Sequence, residues 1–115
     1  LIDNLHKIAD VVLGIEVEMR RLDLWQDEPP SPEALASHQP FCFDTLSFSQ
    51  WLQWVFLPRM KRILERGGQL PAESGIFPLA EECLRGLEPD GTYLLSLIRR
   101  FDDLIAENRR VVSRP

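Results

Sequence analysis

Residues 41–64 read FCFDTLSFSQWLQWVFLPRMKRIL, and the rest of the chain is arranged around them. The stretch holds two of the three tryptophans and four of the six phenylalanines. A large apolar side chain stabilises by about 1.5–3 kcal/mol when fully buried, so no other segment competes with this one as a core. Phe48, Trp51, Leu52, Trp54, Val55, Phe56 and Leu57 spread over most of a helical circumference, which marks a helix packed on several sides. The expected helix covers 46–66. Asp44, Thr45 and Ser47 are candidate caps, with Asp44 read as a cap in preference to an acid in a site. Gly67-Gly68 is the stop. Pro58 falls inside the periodic pattern and removes a backbone hydrogen bond, which predicts a kink there.

Upstream, Leu1, Leu5, Ile8, Val12, Ile15, Met19 and Leu22 recur at steps of four and three, one stripe on a helix over about 1–23. The stripe is broader than a coiled-coil seam, which favours a bundle helix, although it also offers an isologous patch for a homodimer. Glu16 and Arg20 form an i,i+4 pair on the polar face. Gly14 costs about 1 kcal/mol relative to alanine inside a helix and marks a close approach by a neighbour. Pro29 and Pro30 forbid continuation. Ser31, Pro32 and Glu33 then read as the cap and first turn of a short helix over 32–37.

Downstream, Leu70-Pro71 pins a loop to the core, and Phe77-Pro78 opens a short helix over 77–85 with Glu81 and Arg85 paired. Pro89-Asp90-Gly91 is a turn. The last helix, over 91–109, places Leu94, Leu97, Ile98, Phe101, Leu104 and Ile105 on its apolar face. Its wet face carries Arg99, Arg100, Asp102 and Asp103. No alternating strand pattern occurs. The fold class is all-α, a small helical bundle of three long helices and two short ones, read as a single domain over 1–115.

The 115 residues carry a net charge of −5, which argues against the broad basic footprint of a nucleic-acid binder. Direct nucleic-acid binding is therefore disfavoured. Cys42 and Cys83 lie beside apolar residues in no metal-like spacing and read as buried free thiols. No basic–apolar–small leader opens the sequence, and no apolar run approaches a membrane span, so the expected location is cytoplasmic.

The run PFCFDTLSFSQWLQWVFLPRM at 40–60 is followed by Leu70-Pro71 and preceded by Trp25 ahead of a Pro/Ser-rich turn. In these features the chain resembles the YqcC-like family of small bacterial proteins over about 20–82, while the terminal helices match in length and character. The resemblance implies an all-α, bundle-like fold and no established biochemical role. Members have been labelled as related to tRNA pseudouridine synthase C. That catalytic label does not carry over residue by residue, because those enzymes use a catalytic aspartate in a sheet-based, basic fold. The resemblance leaves a physical association with such an enzyme as an expectation.

Trp51, Gln53, Trp54 and Arg59 are the candidate contact residues, since an amide and a guanidinium beside two indoles can line a pocket. Against this stands ordinary packing of the indoles, with Gln53 or Arg59 satisfying carbonyls freed at Pro58. His6 and His38 lack metal-site spacing and read as surface residues. No nucleophile elbow, phosphate loop or carboxylate pair occurs. No catalytic residue, metal or cofactor is expected. The sequence favours a non-enzymatic interaction module with a protein partner, accessory to a tRNA-modifying enzyme; the alternative is a small-molecule binder or enzyme at the Trp51/Trp54/Arg59 region.

Overall fold

In the computed structural model, which describes residues 2–87 and 90–112, the first helix α1 spans Ile2–Arg21. Its stripe is turned inward: Ile8, Val12, Ile15, Met19 and Leu22 are buried and Leu5 is 42% exposed, while Leu1 lies outside the described residues. The face expected to serve a homodimer is thus occupied within the chain, leaving Leu13 and Val17 exposed on α1. The helix stops at Asp23, whose φ of 59° lets Leu24 N–H donate to the Met19 carbonyl at 2.9 Å. Aspartate tolerates this left-handed geometry better than most residues with a Cβ.

The last helix, α6, spans Thr92–Val112 and lies along α1. Its six expected apolar residues are all buried. Gly14 is a point of close approach: a Cβ there would sit 3.2 Å from Leu97 Cδ1. Arg21 donates to the Asp90 carbonyl at 3.1 Å, so the C-terminus of α1 meets the start of α6 and the two run antiparallel.

Two short helices fill the flanks. The first, α2, is the single turn Pro32–Leu35, capped by Ser31 through Ala34 N–H. A 3₁₀ turn, Pro40–Cys42, then leads to the central helix in three consecutive parts: α3 (Phe48–Trp51), a π turn (Leu52–Phe56) and α4 (Leu57–Arg66). Ser47 starts it with a capping box: its Oγ accepts from Gln50 N–H at 3.2 Å, and Gln50 Oε1 accepts from Ser47 N–H at 2.9 Å. Asp44 is not the cap. It accepts from Ser37 Oγ at 2.5 Å, while Thr45 Oγ1 donates to the Ala34 carbonyl at 2.7 Å, so both tie the loop to α2.

The irregularity expected at Pro58 lies in the turn before it, where Leu57 N–H reaches back to the Leu52 carbonyl. An extra residue in one turn is a π bulge, a common local response to an interrupted ladder. It also carries the side chains that follow further around the axis. Trp51, Leu52, Gln53, Phe56, Leu57 and Met60 are buried, whereas Trp54 and Val55 are half-buried. Gly67, at φ 67°, ends α4, and Gly68 N–H donates to the Ile63 carbonyl at 2.9 Å.

Helix α5 spans Phe77–Cys83, two residues shorter than expected, and its N-cap residue Ile76 makes no side-chain cap. The cap comes from α6 instead, where Asp102 accepts from Ile76 N–H at 3.1 Å and Phe77 N–H at 2.8 Å. Asp102 therefore does not belong to a purely solvated face. Arg85 pairs with Glu82 at 3.6 Å rather than with Glu81, because the helix has ended before a full i,i+4 turn is available. Cys83 is exposed, contrary to the buried thiol expected from its apolar neighbours, while Cys42 is buried. Pro89 of the expected turn lies outside the described residues. There is no strand among the described residues, and none of their helices is long and apolar enough to cross a membrane.

Candidate functional site

The four candidate residues do not converge on one site. Trp51 packs in an aromatic chain, with ring centroids 4.8 Å from Phe41 and 5.5 Å from Phe56, and Phe56 meets Phe101 edge-on at 4.9 Å. Such offset and edge contacts are the ordinary packing of core aromatics. Arg59 is exposed and borders, with Trp51, a cavity of about 190 Å³ beside Pro71 and Ile76.

Gln53 and Trp54 face a different cleft, of about 420 Å³, shared with Arg20, Trp25, Pro58 and Lys61. Gln53 is buried because both ends of its amide are used. Its Oε1 accepts from Gln26 N–H at 2.8 Å and its Nε2 donates to the Gln26 carbonyl at 2.7 Å. It satisfies the backbone of the segment after α1, not carbonyls released at Pro58. Trp54 Nε1 is buried without a hydrogen-bond partner. An unsatisfied buried donor costs about 1–3 kcal/mol.

Two cations that line this cleft, Arg20 and Lys61, both pair with Glu16. Glu16 accepts from Lys61 Nζ at 2.5 Å and from Arg20 at 3.1 Å, bridging α1 to α4. The Lys61 hydrogen bond, opposed by partial burial and helped by Arg20, holds the Glu16 carboxyl below its ordinary value of 4.5. Arg20 in turn lies 4.3 Å over the Trp25 ring. The Glu16–Arg20 pair is readable from helical spacing, but neither Lys61 nor Trp25 shares a local period with it. The polar faces of two helices had to be brought together first.

A third and larger concavity, about 480 Å³, opens between the start of the central helix and α5. Phe43, Leu46, Phe48, Leu79, Cys83 and Leu87 are among its lining residues, and none of the lining residues is charged. Phe43, at 66%, is the most exposed of the large apolar side chains among the described residues. Nothing in the sequence separates it from Phe41, two positions away, which packs against Trp51. The difference is conformational: Phe41 and Cys42 both adopt left-handed geometry, with φ of 58° and 49°.

His6 and His38 are exposed. Among the described residues no three His, Cys, Asp or Glu side chains gather as a metal set. Arg99 and Arg100 are exposed, and the Arg99 guanidinium lies 5.3 Å over the Phe77 ring.

Fold and concavities together define a small helical protein, with no strand among the described residues, that carries two mainly apolar recesses and one cleft of mixed polar and aromatic lining. A family model described as "tRNA pseudouridine synthase C" matches residues 7–104. The chain belongs to this family, the YqcC-like proteins. It is 32% identical to the uncharacterized protein YqcC of Escherichia coli, over 83% of this chain and 87% of that one. An uncharacterized Haemophilus influenzae protein is 46% identical over 62% of this chain and 67% of its own length. The solution NMR structure of E. coli YqcC superimposes with a TM-score of 0.77 at 29% identity, covering 90% of this chain and 89% of that one. A Pectobacterium carotovorum protein named tRNA pseudouridine synthase C is 41% identical over 66 residues, 57% of this chain but only 18% of that protein.

Proposed function

We propose that this protein is a non-enzymatic interaction module that associates in the cytoplasm with a tRNA-modifying enzyme of the pseudouridine synthase class. One observation carries the reading. In the Pectobacterium relative, a stretch like this one makes up 18% of a longer protein that bears the enzyme's name. Joining two modules in one polypeptide raises their effective concentration, and separate chains reach the same state through an interface. The groove beside Phe43 supplies apolar surface for such an interface. The test is co-expression of the tagged chain with the pseudouridine synthase of the same organism. A stoichiometric complex that survives size-exclusion chromatography is expected; elution of the two as separate species contradicts the reading.

A second reading is favoured by the unpaired Trp54 Nε1 beside the 420 Å³ cleft. Here the cleft takes a small planar ligand, and side-chain movement on binding brings the indole N–H, shielded from solvent in the structure, to an acceptor atom of that ligand. Thermal-shift screening against metabolites, repeated with Trp54→Phe, tests it. A stabilising ligand lost in the variant supports the reading, and an unresponsive wild-type chain removes it.

A further inference from the structure

We infer that the groove between the start of the central helix and α5 is a docking surface for a basic amphipathic helix of a protein partner. The inference rests on the interaction-module reading and adds to it the surface used and the chemistry of what binds there.

The floor of the groove is apolar, from Leu46 and Phe48 on one wall to Leu79 and Leu84 on the other. At its edge stands Phe43, 66% exposed although Phe41 and Cys42 just before it are buried or half-buried. Two consecutive residues with a Cβ in left-handed geometry are unfavourable. This turn packs Phe41 against Trp51 and holds Phe43 at the groove, where it contributes little to the chain's own core. Aromatic side chains, Phe among them, are enriched at protein interfaces relative to the rest of the surface.

Charge identifies the occupant. The lining residues carry no charge, but exposed acids adjoin them in sequence: Asp23 next to Leu24, Asp44 next to Phe43 and Glu82 next to Cys83. Arg85, which adjoins Leu84, faces Glu82 at 3.6 Å. Taken together these four neighbours of the apolar lining carry an acidic excess, on a chain whose net charge is −5. The complement is a helix with bulky apolar residues at i, i+3 or i+4, and i+7 on one face and Lys or Arg on its flanks. The recess, about 480 Å³, is large enough to receive several such side chains.

The exposed Cys83 thiol lines this groove, whereas Cys42 is buried, so alkylation of Cys83 reports occupancy without any substitution. The experiment measures that rate on the intact chain alone, with its pseudouridine synthase, with a basic amphipathic model helix, and with an acidic helix of the same apolar face. The inference expects protection of about tenfold or more by the enzyme and by the basic helix, and none by the acidic one. It also expects Phe43→Ser to weaken binding about thirtyfold, the loss typical of a hot-spot aromatic. Because Phe43 is largely exposed, this variant keeps its fold, which circular dichroism verifies. A complex with the enzyme that leaves Cys83 fully reactive, or that tolerates Phe43→Ser, overturns the docking surface while the interaction-module reading stands. Absence of a complex together with protection by the basic helix removes that enzyme as partner and keeps the surface. Protection by neither, or by both helices equally, overturns the inference.

Discussion

Asp102, on α6, caps α5 across the bundle: its Oδ2 accepts the backbone N–H of Phe77 at 2.8 Å. Its other oxygen accepts from Ile76 N–H at 3.1 Å and Ser74 Oγ at 2.6 Å. One carboxylate thus joins the last helix, the loop after α4 and the first turn of α5, where it also complements the helix dipole. The groove wall formed by Leu79 and Cys83 is positioned from α6 by this contact.

Asp102→Ala leaves these donors without their acceptor and is expected to cost about 2–3 kcal/mol, since hydrogen bonds to a charged group are the stronger kind. Urea unfolding of the variant measures the loss. Its Cys83 alkylation rate is expected to change as well, because the thiol lies on the helix that loses its cap.

Gln53 makes two hydrogen bonds to the backbone of Gln26, so the two glutamines are not equivalent. Gln53→Ala is expected to destabilise by about 1–3 kcal/mol, because it removes a buried side chain together with both of its hydrogen bonds. Gln26→Ala keeps the backbone groups and loses only a 3.4 Å side-chain contact to Gln50, so a change within about 0.5 kcal/mol is expected. Equal losses in chemical denaturation would contradict this assignment.

Gly14 and Asp23 give predictions of opposite sign. At Gly14 the added Cβ of alanine meets the flexible end of Leu97 at 3.2 Å, so the gain in helix propensity is offset and Gly14→Ala is expected to be near neutral. Gly14→Leu overpacks the α1–α6 contact and is expected to cost about 1–3 kcal/mol. Asp23→Gly, at a left-handed position after α1, is expected to stabilise by about 0.5–1 kcal/mol. Thermal unfolding of the three variants gives the order.

The bridge from Glu16 to Lys61 and Arg20 makes stability depend on pH. The folded-state carboxyl lies below its ordinary 4.5, so its contribution is complete above that value and is lost as pH falls through 4.5 to the folded value. The stability difference between wild type and Glu16→Gln is therefore expected to be larger at about pH 7 than at about pH 3. Denaturant titrations at the two pH values measure it, and a difference that does not shrink on acidification rules the bridge out as its source.

The all-α class, the helical stripes, the stop at Gly67 and the close approach at Gly14 could all be read from the sequence because each follows from local spacing or backbone freedom. The π turn could not, since a proline in a helical pattern is accommodated in several ways that share one sequence. Asp102 reads as solvent-facing because its partners lie on another helix, 25 and 26 residues away. Cys83 reads as buried for a related reason, although it is exposed. Its apolar neighbours belong to a short helix whose other side is covered by the core. Among the candidate site residues, proximity in sequence placed Trp51 and Trp54 together, but burial divided them. Trp51 went to the aromatic core and Trp54 to the cleft with Trp25, a tryptophan no local pattern connects to it.

Sedimentation velocity of the purified chain mixed at equal concentration with the pseudouridine synthase of the same organism tests the proposed association most directly. The account predicts a single faster boundary containing both chains, lost when Phe43→Ser replaces the wild type. Two boundaries at the positions of the separate proteins, unchanged across concentration, would contradict it.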